Sequence, residues 1–215
     1  MPFKLSQDEG KILVKLARNA IIHFLKTSKK IPIPNDSPLK FNEKYGVFVT
    51  LNTIRGGNEE LRGCIGYPNP ILPLVNATIE SAINAATQDP RFPPLSIHEL
   101  DEVIIEVSIL TPPNLIEIKI PRDYVKEIQI GRDGLIVERG IYRGLLLPQV
   151  PIEWKWDVNE FLINCCIKAG LSPDAWVLKE TKIYKFSCVI AHEVSPNGDV
   201  VVRDLEDELH NRNHS

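Results

Sequence analysis

The sequence predicts an α+β fold, a mainly antiparallel sheet with packed helices. Helical stripes and β-rich runs are interspersed without a regular strand-helix-strand rhythm, which argues against a doubly wound parallel sheet. Neighbouring β-rich runs are joined by turn residues, Gly56-Gly57-Asn58 and Pro196-Asn197-Gly198, as hairpins are. No glycine-rich fingerprint or phosphate-binding P-loop opens a helix, so the usual nucleotide-binding α/β folds find no support. The 215 residues are 43% hydrophobic and 25% charged, enough apolar material for a real core and far from the composition of disordered chains.

Ser6 and Glu9 form a capping box ahead of Ile12, Leu13, Leu16, Ala17, Ala20, Ile21, Phe24 and Leu25, a helical stripe. That helix ends near Lys29, because Ile31-Pro32-Ile33-Pro34 cannot continue it. A strand follows over 45–52, with Val47, Val49 and Leu51 on one face, and the chain returns over 61–67 as a hairpin. Pro73 opens a second helix through Leu74, Val75, Thr78, Ile79, Ala82, Ile83 and Ala86. Asp89 to Pro94, DPRFPP, is a stiff loop, and Ser96 with Glu99 caps a single turn. Residues 103–110 are β-branched enough for a buried strand, stopped by Pro112-Pro113. Arg132-Asp133-Gly134 predicts a second hairpin within 128–138, with 142–147 as a further strand. Gly131, Gly134, Gly140 and Gly144 are expected to be turn glycines. Asp157 and Glu160 repeat the capping box before a helix closed by Gly170, and residues 181–194 and 199–203 form a last hairpin. The segment 204–215 is a polar tail.

Lys and Arg total 25 against 28 Asp and Glu, a net charge of −3, so there is no global basic field and no strong nucleic-acid signal. Lys26, Lys29 and Lys30 complement the end of the first helix. No membrane-spanning run or leader is visible, and four irregularly spaced cysteines do not make a secreted disulfide framework. A cytoplasmic, soluble protein is expected. No zinc-ligand spacing surrounds Cys165 and Cys166, so no metal is expected, and no cofactor is indicated. Proline is abundant, 17 residues, and clusters at joints between elements, which predicts stiff loops rather than a flexible linker.

The segment Leu61 to Gly66, LRGCIG, is the unusual one. Glycines weaken a strand, and Gly63 and Gly66 imply a bulge or the close approach of another backbone or a ligand. Strict alternation puts Arg62 and Cys64 on one face, where the guanidinium favours the thiolate and makes Cys64 a candidate catalytic nucleophile. The alternative is a small hydrophobic cysteine packed in a sheet. Of the histidines, His98 and His192 lie in structured segments without a local Cys-His signature, so a papain-like pair has no sequence support. Glu106 and Ser108 interrupt one face of an apolar strand; they either face water or line a cleft as an acid/base pair. Asp89 and Arg91 sit in the proline-stiffened loop, and Arg143-Gly144 echoes Arg62-Gly63. Such arginines are candidate ligands for a carboxylate or phosphate.

LRGCIG at Leu61, DPRFPP at Asp89, EVSIL at Glu106, IGRDGL at Ile130, RGLLLPQV at Arg143 and the Trp156 to Leu162 segment, in this order, resemble the AMMECR protein-one domain family over residues 5–200. The resemblance implies one domain over residues 1–203, built as a larger and a smaller subdomain with a cleft between them. It implies no reaction, since the family has none established. It also suggests a functional link to Memo-like and radical S-adenosylmethionine proteins. Two readings follow: a small-molecule enzyme or ligand-binding protein using Arg62, Cys64, Glu106 and Arg143, or a non-catalytic protein-interaction module whose stiff loops present a surface. Whether the chain is an enzyme stays open at the level of sequence.

Overall fold

The computed structural model describes residues 3–204. The chain forms two compact units, one of residues 3–110 with 189–203 and one of residues 111–188.

The first unit opens with α1 (Gln7–Thr27), whose capping box is complete: the Ser6 hydroxyl accepts from the Glu9 backbone and Glu9 accepts from the Ser6 N–H. The helix stops at Ser28, in the left-handed conformation, one residue short of the expected end. A hairpin follows, β1 (Gly46–Arg55) and β2 (Asn58–Tyr67), turned by Gly56 and Gly57 at φ 57 and 82. Both strands run further than the apolar pattern alone suggests, because the hairpin ladder carries on through the polar residues next to the turn. Next come α2 (Leu74–Thr87), a single turn over 99–102 held by reciprocal Ser96–Glu99 bonds, and β3 (Val103–Leu110).

The second unit contains β4 (Asn114–Leu115), α3 (Tyr124–Glu127), β5 (Gly134–Arg139), β6 (Tyr142–Leu146), α4 (Val150–Glu153), α5 (Val158–Lys168) and β7 (Lys182–Phe186). Strand β8 (Cys188–Glu193) returns the chain to the first unit, which β9 (Val200–Asp204) completes. The first sheet has the order β2-β1-β3-β8-β9 and the second β4-β7-β5-β6. The pairings β1–β2, β1–β3, β4–β7, β5–β6 and β5–β7 are antiparallel.

Three expectations change. The hairpin expected at Arg132-Asp133-Gly134 instead turns at Gly140-Ile141, between β5 and β6. Asp133 spends its carboxylate on the Gln129 N–H and the Arg132 guanidinium, closing a loop that leads into β5. The run 181–194 is two strands in two sheets, interrupted at Ser187. Gly134 and Gly144 are packing glycines: a Cβ at Gly134 would press on the Phe186 ring, and one at Gly144 on the backbone of Cys165 and Ala169 in α5. The expected tail lies almost wholly outside the described residues.

Each unit has its own core. In the first, Val47, Val49, Leu51, Val103, Ile105, Val107 and Ile109 face α1 and α2, all buried. Each such side chain contributes about 1.5–3 kcal/mol relative to exposure. Arg18 of α1 reaches through this layer to Glu193, Leu100 O and Val103 O, while Glu193 also accepts from the Ile105 N–H. This buried pair is fully hydrogen-bonded, which is what makes burial of two charges tolerable. In the second unit Leu135, Val137, Phe161, Leu162, Cys165, Cys166 and Ile183 form the core.

Candidate functional site

The face of the first sheet opposite α1 and α2 carries the chemistry. Residues directly opposite on paired strands share a face, and Thr50 is opposite both Cys64 on β2 and Glu106 on β3. Ser108 lies two residues along β3, on the same side. His192 of β8 joins them: Nδ1 is 3.6 Å from a Glu106 carboxylate oxygen and Nε2 is 3.2 Å from Glu59 of β2. Four adjacent strands thus contribute Cys64, Thr50, Glu106 and His192 to one polar row.

The row is bonded internally. The Thr50 hydroxyl donates to Cys64 Sγ at 3.3 Å, and the Ser108 hydroxyl donates to Glu106 at 3.1 Å. Ser108 is buried, whereas Cys64 and Glu106 are half-buried. The Glu106 carboxylate raises the His192 pKa above its ordinary value; burial opposes this and Glu59 adds to it. Imidazole between two carboxylates is a proton-holding arrangement near neutrality. Burial pushes the Cys64 thiol up; the Thr50 hydrogen bond and the Arg91 charge pull it down, and Glu106 and Asp89 raise it further.

The alternation that placed Arg62 beside Cys64 is broken. Leu51 is opposite Gly63 but Asn52 is opposite Leu61, so Arg62 is the extra residue of a β-bulge. Cys64 therefore shares its face with Leu61. The Arg62 guanidinium is bonded to Glu99 at 3.2 Å and lies over the Phe92 ring, and the cation that acts on Cys64 is Arg91. Gly63 and Gly66 answer to backbone approach: a Cβ at Gly63 would strike the Ala85 carbonyl of α2, and one at Gly66 the Val47 carbonyl and Phe48 ring.

Asp89 and Arg91 grip the free edge of β2. Asp89 accepts from the Cys64 N–H at 2.8 Å, and Arg91 donates to the Cys64 carbonyl at 3.3 Å. The two side chains imitate a neighbouring strand and cover an edge that invites pairing. Arg91 is bonded to both Asp89 oxygens, which holds the Asp89 carboxyl down to about 2. Arg143 belongs to the second unit, on β6, 3.8 Å from Glu138, and is not among the residues this sheet face assembles. Thr50 and Glu59 are not among the residues the sequence singles out, and His192 enters there only as a base without a Cys-His signature. His192 is brought to Glu106 by pairing far apart in sequence, and no local signal points to it.

Among the described residues no group of three or more His, Cys, Asp or Glu could hold a metal ion. None of the four cysteines is in a disulfide, and Cys165, Cys166 and Cys188 are buried. No helix among the described residues is long and apolar enough to cross a membrane.

The fold and this face define an α+β protein with a titratable polar row on an antiparallel sheet. The chain belongs to the AMMECR1 family, whose model matches residues 14–191. It is 54% identical over 206 residues to Protein PH0010 of Pyrococcus horikoshii, covering 95% of this chain and 100% of that protein. It is 53% identical over 201 residues to Protein MJ0810 of Methanocaldococcus jannaschii, covering 94% and 98%. The crystal structure of the uncharacterized protein PH0010 superposes with a TM-score of 0.88, covering 94% of this chain and 100% of the other.

Proposed function

We propose that this AMMECR1-family protein is an enzyme acting on a small polar molecule bound over the Cys64-Thr50-Glu106-His192 row, with residues 1–203 as its functional domain. One observation carries the reading. A sheet face that apolar residues would fill most cheaply instead holds a histidine between two carboxylates, in line with a thiol. His192 and Glu106 serve as the proton-transfer pair. Cys64 serves as nucleophile or redox thiol and rests as the protonated thiol, since burial outweighs Arg91. Asp89 and Arg91 position Cys64 through its backbone rather than binding substrate. Cysteines held outside disulfides fit a reducing, cytoplasmic location.

The test is consumption of small molecules from a native metabolite extract by the purified protein, read by mass spectrometry. Wild type depletes a defined compound, while E106Q and H192Q lower that rate by about 10²-fold or more, the usual size of an acid–base contribution. Depletion at equal rates by wild type and both variants, or none at all, removes the proposal. The rival reading, a non-catalytic interaction module, is what the second outcome would favour.

A further inference from the structure

We propose that the second unit carries a separate binding site for a small monoanionic carboxylate. It is a cavity of about 250 Å³ lined by Phe186 and by the polar residues Thr111, Asn114, Arg132, Asp133, Lys185 and Ser187. Every one of these residues belongs to the second unit, so the inference is independent of the Cys64 row.

The strand register builds the site. Asn114 of β4 is directly opposite Lys185 of β7, so an amide and an ammonium lie side by side. Lys185 is held in place by a 2.7 Å bond from its ammonium to the Glu127 carbonyl oxygen, with the Glu127 carboxylate 3.7 Å away and half exposed. Arg132 is bound by both Asp133 oxygens, at 2.8 and 2.7 Å. The lining itself holds two cations and one carboxylate, and that carboxylate is matched to Arg132; the Glu127 carboxylate, outside the lining and half exposed, offsets part of the Lys185 charge. With at most one positive charge left over, the cavity suits a monoanion better than a doubly charged phosphate.

Ser187 is the second, independent sign. Its backbone is tied to Thr111, whose hydroxyl accepts from the Ser187 N–H at 2.8 Å and whose N–H donates to the Ser187 carbonyl at 3.0 Å. The Ser187 hydroxyl oxygen is itself buried and has no hydrogen-bond partner among the described residues. A buried hydroxyl without a protein partner costs stability, and alanine at such a place would remove the cost. A polar ligand atom in the cavity would complete it. A cavity this small, open on one side, fits a short carboxylic acid carrying a hydroxyl or similar group. Lys185 and Asn114 would take the carboxylate and Ser187 the second oxygen.

The experiment uses the full chain and lactate as probe, in a buffer free of other carboxylates, with thermal unfolding as readout. Lactate is expected to raise the wild-type Tm in a saturable manner. In S187A the Tm without lactate should equal or exceed that of wild type, while the apparent Kd for lactate rises by about tenfold, as loss of one good hydrogen bond to a charged ligand predicts. K185Q should abolish the response, and K182Q, at the exposed start of β7, should keep it. No response in wild type, or equal responses in wild type, S187A and K185Q, would overturn the site. Stabilisation by inorganic phosphate with lactate silent would overturn the carboxylate assignment. Because S187A removes no hydrogen bond within the described protein, a folding defect does not stand between the variant and the answer.

Discussion

At Cys64 burial and charge pull in opposite directions, and the balance sets its chemistry. Burial raises the thiol above 9.0, and the Glu106 charge adds to the rise. Alkylation by iodoacetamide should therefore be slow at neutral pH, with an apparent midpoint above 9.0, and E106Q should lower that midpoint by removing a repelling charge. A midpoint at or below that of an ordinary thiol would contradict this balance. Asp89 makes the opposite case. Its folded pKa of about 2 lies below its ordinary 3.8, so its stabilisation is present above pH 3.8 and is lost as pH falls through about 2. The contribution is about 1–2 kcal/mol, reduced from the full linkage value because Arg91 is half exposed. D89N should lower stability by that amount near pH 7, and the gap to wild type should close between pH 4 and about 2 in denaturant titrations; a gap independent of pH would contradict the pairing. Glu106, Ser108 and Cys64 were legible as candidates because a polar residue on an apolar strand stands out. The bulge at Arg62 was not, since one extra residue reverses the alternation and leaves no mark in composition.

Elements with a chemical start and stop signal were the legible ones. Both capping boxes stand where Ser6-Glu9 and Asp157-Glu160 put them, and the Gly56-Gly57 turn joins β1 to β2. The β5–β6 turn was displaced because Arg132-Asp133-Gly134 carries the same residue types as a hairpin turn but is closed by side-chain bonds to Asp133. The split between β7 and β8 was illegible because a chain passing from one sheet to another needs no change in β-propensity. The contact between β2 and α2 is where local sequence and packing agree most tightly. Gly63 lets the strand lie against the Ala85 carbonyl, a backbone atom that cannot rotate away. G63A should therefore destabilise by about 1–3 kcal/mol, the usual cost of overpacking, and should also perturb Cys64, the next residue. Equal Tm values for G63A and wild type would mean that α2 yields without strain.

The whole molecule combines a sequence-continuous second unit with a first unit assembled from both ends of the described chain. Composition could not reveal this, because no linker of Gly or Ser separates the units; the crossings fall at Leu110–Thr111 and Cys188–Val189, inside or beside strands. The division has a spectroscopic consequence. Trp154, Trp156 and Trp176 all lie in the second unit, so tryptophan fluorescence reports on that unit, while protection of Cys64 from alkylation reports on the first. Phe161 and Ile105 are both fully buried, the one in the second core and the other in the first. Truncating either costs about 2–5 kcal/mol in its own core. F161A should lower the denaturant midpoint seen by fluorescence more than the midpoint for Cys64 exposure, and I105A should do the reverse. Equal displacement of both midpoints in both variants would mean that the two cores melt as one cooperative body.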